Sequence, residues 1–469
     1  PWYNLVDKSM KAKIARGARL CALSFGLAAQ GAVNWDDALV VGRTKDDKCF
    51  YRAGEEMVFT LRLQGLSGEL EPDTWFVDWK RTGDDGRTDG ALVPLSTTEP
   101  LVIRTSMDKP GFVRILAVVK DKTGKVYRKD MKIARQTVDG TVAQNPQELN
   151  DKRVFFDGGA GVEPDGIETL PEPADFDAFW ARHRATLAKV PLMAERERVP
   201  GKEKDVANVY RVKIACAGPR PVTGYLTVPK WADGVKTKCL GARMRFDGYS
   251  TSSVQKPEKG DQKGVIIFHI NAHGYEFGRE TKYYEDFYKS IESNGEGYAF
   301  DPRQNADPET AYFCGMTYRV MRALEYVKSL PEWNGKNLTV SGGSQGGLQS
   351  FWAAGLDPDV TDVYAGIPWG CDFGGETLGH NRGGWFVKGA AGLGYYDICN
   401  HARRIRKDCR VEIYRAGLGD YTCPPSGVWT LFRRLPCANK RIHWVQGSTH
   451  GYVPPEPNQK FDLVVGEWK

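Results

Sequence analysis

The sequence predicts an α/β domain with a doubly wound, mainly parallel sheet, preceded by a small all-β sandwich. Three observations carry this prediction. From about residue 173 onward, short apolar runs alternate with segments of helical periodicity, the pattern of parallel strands joined by helices. Between Asn34 and Arg135, apolar residues recur at every second position in several short runs separated by turn signals. Finally, Asn337–Gly347, NLTVSGGSQGG, sets a G-x-S-x-G between an apolar, partly β-branched strand and an apolar-rich helix, Leu348–Leu356.

The chain begins with a stretch that belongs to neither domain. Of the formal net charge of +6, five Lys/Arg against the single acid Asp7 in the first 31 residues supply +4, which leaves +2 for the rest. Met10–Ala32 has the pattern of a secretory leader: basic residues from Lys11 to Arg19, an apolar run Leu20–Ala29 and small residues at Ala29–Ala32. Residues 1–32 are therefore read as a leader with an upstream extension, and a secreted or periplasmic protein is expected. The apolar run is too short to span a bilayer, so no membrane partner is expected. With 41% hydrophobic and 26% charged residues, the composition is that of an ordinary soluble globular protein, and 469 residues suit two or three domains. No basic cluster interleaved with aromatics appears beyond the leader, which argues against nucleic acid as a partner. Nine cysteines follow the leader without C-x-x-C spacing, so neither a zinc site nor any other cofactor is expected, and the odd count leaves at least one thiol unpaired.

Residues 33–135 form the predicted sandwich. Met57, Phe59, Leu61 and Leu63 alternate with more polar neighbours, as do Trp75, Val77 and Trp79, and Val113, Ile115, Ala117 and Val119. Its tryptophans either fill the core or line a sugar-binding face, and core filling is the commoner use of such rings. Residues 136–172, rich in Gly, Pro and Asp, read as a linker. The second domain, 173–469, opens with a helix whose Phe176, Phe179, Trp180, His183, Leu187 and Val190 share one face, with Asp175 at its cap. Strands follow at Val209–Ala215, Val222–Val228, Ala242–Phe246 and Val265–Asn271, and a long helix at Glu309–Leu330 ends at Pro331. After the G-x-S-x-G come strands Val363–Ile367, Val411–Tyr414 and Arg441–Val445.

The G-x-S-x-G context defines a nucleophile elbow. The serine must sit on a strained turn with its Oγ exposed, and flanking glycines let the backbone make that turn. The N–H groups that open the next helix then lie where an oxyanion forms. Ser344 is therefore the candidate nucleophile. A serine hydroxyl needs a base within hydrogen-bond reach, and that base needs a carboxylate to orient it. In an α/β-hydrolase these follow in the order serine, acid, histidine. His380, His401, His443 and His450 lie beyond Ser344. His450, in a loop just after the last apolar strand, fits the base; His443 falls inside that strand, and His380 and His401 come too early. Asp420, in Gly417–Tyr421 straight after its strand, fits the acid, with Asp372 as the rival.

With these residues placed, the second domain resembles the acetyl xylan esterase/cephalosporin C deacetylase family, carbohydrate esterase family seven. The elbow matches the family's GGSQGG. Tyr318–Pro331 matches its preceding helix, Gly419-Asp420…Cys423-Pro424-Pro425-Ser426 its G-x-x-D-x-x-C-P-P-S loop, and Pro368…Cys371-Asp372-Phe373 its P-x-x-C-D-F segment. The resemblance covers roughly Pro173–Lys469 and implies an esterase acting on acetylated oligo- or polysaccharide through Ser344, His450 and Asp420. It also implies a homo-oligomer, since the family often forms hexamers, unless the added domain blocks that interface. The family takes one oxyanion donor from the tyrosine N–H of an H-G-Y and the other from the residue after the serine. His273-Gly274-Tyr275 looks like that H-G-Y, but it lies 344 − 275 = 69 residues before the serine with no strong strand between. Phe246-Asp247-Gly248-Tyr249 follows the earlier strand, so Tyr249 and Gln345 are the expected backbone donors, with Asp247 in place of the family's histidine. Trp369, after strand Val363–Ile367, is a candidate wall of the substrate pocket, with an ordinary core role as the equal alternative. Two alternatives stand beside this reading: a serine peptidase of the prolyl-oligopeptidase type, and a carbohydrate-binding protein that has lost catalysis. About 100 residues of sandwich are too few for the peptidase's seven-bladed propeller.

Overall fold

The period-two runs of the first domain become antiparallel strands with one face buried, because alternate side chains on a strand point to opposite sides. The computed structural model describes residues 33–128, 132–133, 147–148, 153–201, 205–250, 264–455 and 458–468; the leader read in Met10–Ala32 lies outside them. Strands β1 (Leu39–Thr44), β2 (Phe50–Tyr51), β3 (Met57–Gln64), β4 (Trp75–Gly83), β5 (Asp89–Pro94), β6 (Leu101–Thr105) and β7 (Gly111–Asp121) come first. A short antiparallel pair follows, β8 (Lys132–Ile133) with β9 (Gln147–Glu148), and then β10 (Phe155–Val162). One sheet runs β1-β3-β6 and the other β2-β10-β7-β4-β5. Met57, Phe59, Leu61, Ile115, Ala117 and Val119 meet between them with Trp35 and Phe156.

Strand β10 corrects the sequence reading. Phe155–Val162 lies in the stretch read as a linker, yet all eight residues are buried and pair antiparallel with β7 and parallel with β2. Its glycines, taken for turn signals, serve close approach instead. A Cβ on Gly159 would lie 2.1 Å from Val113 O, and one on Gly158 would lie 2.0 Å from Gln446 Oε1.

The second domain opens with α1 (Phe176–Ala188), whose Phe176, Phe179, Trp180, His183 and Leu187 are buried as the periodicity requires. Asp175 occupies the N-cap without a capping hydrogen bond; its carboxylate accepts from Tyr395 Oη instead. Then come β11 (Ala194–Val199), β12 (Ala207–Ile214), β13 (Val222–Pro229), β14 (Leu240–Phe246), β15 (Val265–Ile270), α2 (Thr281–Ser290) and α3 (Tyr312–Ser329). The chain continues through β16 (Trp333–Gly343), α4 (Gln345–Leu356), β17 (Asp362–Gly366), α5 (Ile398–His401), β18 (Arg410–Gly417), α6 (Pro425–Arg434), β19 (Asn439–Val445) and β20 (Lys460–Val465). These strands form one sheet in the order β11-β12-β13-β15-β14-β16-β17-β18-β19-β20. From β15 to β19 every pairing is parallel, and the outer strands on both sides are antiparallel. The sequence missed β11 and β20, which sit at the edges with largely exposed side chains and so lack the apolar signature of an inner strand. After β14 the chain lays β15 on one side and then crosses to place β16 on the other. Such a switch leaves a crevice at the carboxyl ends of β14 and β16.

The two domains share a tightly made seam. Gln446 and Gln459, both buried, each use a side-chain amide as if it were a strand backbone. Gln446 Oε1 accepts from Gly159 N (2.7 Å) while its Nε2 donates to Gly159 O (2.9 Å), and Gln459 treats Thr44 the same way (3.0 and 3.3 Å). Phe112 and Phe50 from the sandwich stack on Trp444 and Trp429 (5.7 and 4.8 Å between centroids). Among the described residues nine cysteines are free.

On the same edge of the sheet, His443 of β19 bonds Asp462 of β20 (2.8 Å) and lies 3.4 Å from Glu412 of β18, whose other oxygen takes Arg441. The Glu412 and Asp462 carboxylates raise the imidazole pKa above its ordinary 6.5 despite partial burial. A raised folded value means this contribution is fully present below pH 6.5 and is lost as pH rises through the folded pKa. His443→Gln should therefore cost stability at pH 5, by about 0.5 kcal/mol after solvent screening, and markedly less at pH 8.5. Thermal melts at the two pH values check this, and an equal loss at both would show that the charge is not used.

Candidate active site

Two glycines bring two backbones into contact at the centre of the sheet. A Cβ on Gly346 would lie 2.3 Å from Phe246 O, and one on Gly342 would lie 2.6 Å from Phe246 O and from Gly346 itself. No side chain fits, so β16 ends hard against β14 and the chain must turn at once into α4. Ser344 takes the turn at φ 55° and ψ −120°, a conformation that costs a non-glycine residue on the order of 1–3 kcal/mol. The turn is held by Ser344 N donating to Gly366 O (3.0 Å), while Ser344 O accepts from Leu348 N and Trp369 N (both 3.1 Å).

The chemistry-bearing side chains named from the sequence converge here. Ser344 Oγ lies 3.0 Å from His450 Nε2, and His450 Nδ1 lies 3.0 Å from Asp420 Oδ2. Asp420 follows β18, and His450 lies in the loop between β19 and β20. The carboxylate is buried, and its other oxygen accepts from Thr422 N (3.1 Å) and Cys423 N (3.0 Å), so the loop's own backbone orients it. Arg415 donates to His450 O (2.7 Å) and steadies the histidine loop. Asp372, the rival acid, is engaged elsewhere by His380 Nδ1 (2.7 Å), in a loop braced by Asp397. Burial pushes the Asp397 carboxyl up to about 6.

The acid loop also leans on the first domain, a contact with no local signal in the residue pattern. A Cβ on Gly419 would lie 1.9 Å from Asp157 O in β10. Asp157 in turn takes a two-pronged bond from Arg114 of β7 (2.8 and 2.6 Å), and the Arg114 guanidinium lies over the Tyr421 ring, 4.4 Å from its centroid.

The loop after β14 flanks the serine on its other side. A Cβ on Gly248 would come within 3.9 Å of Ser344 Cβ, so the Asp247–Tyr249 backbone lies against the elbow. Gln345 opens α4, where the first N–H groups have no intrahelical acceptor. His273–Tyr275 follows β15, one strand farther from β16. His273 is wholly buried, its Nδ1 meeting Tyr312 Oη (2.8 Å) and its Nε2 meeting Ser250 O (3.1 Å). Burial holds its pKa down at about 3, so it is a neutral brace for the loop that carries Tyr249. Asp247 pairs with His269 (3.0 Å).

Of the two roles open to Trp369, pocket wall and core, its burial fits the core. Its backbone is at the serine, but its ring is 3% exposed among Phe300, Phe313 and Phe373. The aromatic residue that meets solvent is Trp385, 41% exposed, which the sequence reading passed over. It stands edge-on to Tyr249 (4.7 Å) and packs on Phe300 (5.1 Å). Among the described residues, two groups bring three potential metal ligands within 4.8 Å of one another: His183, Glu309 and Cys314, and Asp420, Cys423 and His450. Hydrogen bonds account for the imidazoles in both, His183 Nδ1 meeting Tyr318 Oη at 2.6 Å and His450 bridging Asp420 and Ser344.

The family model described as Acetyl xylan esterase (AXE1) matches residues 167–377 and 387–464. The chain is 29% identical over 366 residues to the acetyl esterase Axe7A of Xylanibacter ruminicola, a match spanning 70% of this chain and 77% of that one. Among solved structures, it is similar to an acetyl xylan esterase from Paenibacillus sp. R4, with TM-score 0.50 and 24% identity over 62% of this chain and 94% of that one. It is also similar to acetyl xylan esterase 1 of Thermoanaerobacterium sp. JW/SL YS485, with TM-score 0.47 and 21% identity over 62% and 92% of the two chains. The α/β-hydrolase arrangement of the second domain is thus the one its solved relatives share.

The steric argument at the elbow has a direct check. Gly346→Ala puts a methyl group into the Phe246 carbonyl, and the strain should destabilise the protein by about 1–3 kcal/mol. Denaturant unfolding measures this, and a wild-type midpoint would show that the contact can relax.

Proposed function

The chain belongs to the acetyl xylan esterase family, and from that premise and the Ser344–His450–Asp420 hydrogen-bond chain we propose that it is a secreted serine esterase removing acetyl groups from carbohydrate. The observation that carries the proposal is the unbroken relay from Oγ through both imidazole nitrogens to a buried carboxylate. Ser344 Oγ attacks the acetyl carbonyl while His450 Nε2 takes its proton. Asp420 keeps the Nδ1–H tautomer and stabilises the imidazolium without itself being protonated. The Tyr249 and Gln345 N–H groups receive the negative oxygen of the tetrahedral intermediate; losing one such donor costs on the order of 10²–10³ in rate. His450 then gives the proton to the departing sugar oxygen, which leaves as the alcohol while the acetyl group stays on Ser344 Oγ. Water, deprotonated by His450, attacks the acetyl-enzyme and regenerates the serine.

Secretion is part of this proposal and rests on the Met10–Ala32 pattern; a mature amino terminus near Ala32 in a secreted or periplasmic fraction is the expected finding. Nothing favours the peptidase alternative, since the first domain consists of sheets of three and five strands and not of propeller blades.

Acetate release from acetylated xylans, mannans and small sugars tests the substrate class. Wild-type protein should release acetate from at least one of them. Ser344→Ala should lower turnover of both the sugar and p-nitrophenyl acetate by about 10⁴-fold or more with an unchanged melting temperature. Asp420→Asn should lose about 10⁴ in kcat through the wrong tautomer. A chelator should change neither rate. Full activity in Ser344→Ala would end the serine mechanism, and turnover of a prolyl peptide without sugar deacetylation would reverse the substrate class.

A further inference from the structure

The family match breaks between residues 377 and 387, and the structure puts that short segment to use. It runs beside the elbow and carries Trp385, whose ring touches Tyr249, Phe300 and, at 6.4 Å between centroids, Trp369. Tyr249 and Trp369 both reach Ser344 through their own backbone segments, so Trp385 stands one layer out from the serine. Its indole is 41% exposed, and what sets it apart from other exposed rings is its place against Tyr249 beside the elbow.

The segment is pinned from both domains, by His380 on Asp372 in the second (2.7 Å) and by the β4–β5 turn of the first. Asp84, in the turn between β4 and β5, is 2% exposed, and its carboxylate accepts from Asn381 N (2.7 Å) and Phe112 N (2.8 Å). Asn381 Nδ2 also donates to Thr82 Oγ1 (3.0 Å). On its other flank Gly383 N donates to Tyr421 O (2.8 Å), next to the Asp420 loop. The hairpin tip is itself rigid, because the buried Arg81 guanidinium grips Asp85 with two bonds (both 2.6 Å) and reaches Arg87 O (3.0 Å). Between hairpin and segment lies a cleft of about 360 Å³, lined by Arg87, Thr88, Glu376, Asn381 and Arg382 among others and by Gly383 and Phe386, which flank Trp385 in the chain.

We infer that Trp385 and this interdomain cleft form a subsite for the sugar residues next to the acetylated one, so that the sandwich sets which carbohydrate the esterase accepts. This rests on the carbohydrate deacetylase reading above. An exposed indole offers a flat face to the C–H side of a pyranose ring, and the cleft supplies hydroxyl, amide, carboxylate and guanidinium groups that match sugar hydroxyls. A monosaccharide ester would use the serine and its aromatic surroundings alone, whereas an oligosaccharide would extend across Trp385.

The test compares wild type, Trp385→Ala, Trp385→Phe and Asp84→Ala on acetylated xylo-oligosaccharides of increasing length and on p-nitrophenyl acetate, with melting temperatures measured alongside. Wild type should gain in kcat/KM with chain length. Trp385→Ala should lose that gain mainly through KM, with a fall on the oligosaccharide about tenfold greater than on p-nitrophenyl acetate, and Trp385→Phe should restore part of it. Asp84→Ala, which removes the first domain's carboxylate from Asn381 N while leaving the Trp385 side chain unchanged, should lower the length dependence part of the way. Binding of the oligosaccharides to Ser344→Ala, followed by calorimetry, should weaken in the same order when the Trp385 changes are added. Equal losses on the two substrates, or a length dependence untouched by Trp385→Ala, would overturn the subsite. A wild-type protein that hydrolyses p-nitrophenyl acetate but neither binds nor deacetylates any sugar would overturn the carbohydrate reading itself and the subsite with it.

Discussion

The contact between the Phe246 carbonyl and the glycines of the elbow is the constraint from which the rest of the site follows. Because neither Gly342 nor Gly346 can carry a side chain, β14 and β16 approach until their backbones touch, and the chain leaves β16 through a turn only a strained residue can make. That strain aims Ser344 out of the sheet and sets the first N–H groups of α4 beside it. The same approach lays the Asp247–Tyr249 backbone along the other side of the serine. A hydroxyl between the start of α4 and the Asp247–Tyr249 backbone is the outcome of a close packing event, and the loops bearing Asp420 and His450 need only arrive from neighbouring strands.

What could be read from the sequence was what local spacing and strand order determine. The elbow is local: a strand, a glycine-flanked serine and a helix within a dozen residues. The histidine and the acid were legible because the strand count left each only one loop after the right strand. That same count set Tyr249 apart from Tyr275, and the structure places their loops accordingly, with β14 beside β16 and β15 one strand away. The failures share a cause of the opposite kind. Strand β10 is glycine-rich because another backbone needs its space, and a glycine kept for contact looks the same in sequence as one kept for a turn. Trp385 and Arg114 matter through neighbours distant in the chain, such as Tyr249 and Tyr421, and no periodicity records that. Trp369 was named for its place in the chain, but only its backbone reaches the serine.

The seam between the domains uses a limited vocabulary. Two glutamines imitate a strand backbone, a guanidinium joins Asp157 to the Tyr421 ring, and a buried carboxylate clasps two peptide N–H groups. Each of these satisfies polar atoms that close packing would otherwise leave without water, and breaking one member exposes its partner to the full cost of burial. Polar pairing of this kind fixes orientation more sharply than an apolar face would, since it tolerates little sliding. The acid loop on one side of the seam and the Trp385 segment on the other are both held by it.

Strand β10 has one more consequence. It is an inner strand of the first domain's larger sheet, and its Asp157 carbonyl fills the space a side chain at Gly419 would need, a residue away from the carboxylate that meets the histidine. The sandwich is therefore no detachable accessory borne on a tether, to be trimmed or exchanged without notice at the reacting centre. Each half forms part of the wall that supports the other, and a shortened chain begun at the first helix of the second domain would meet water on a face built to meet protein.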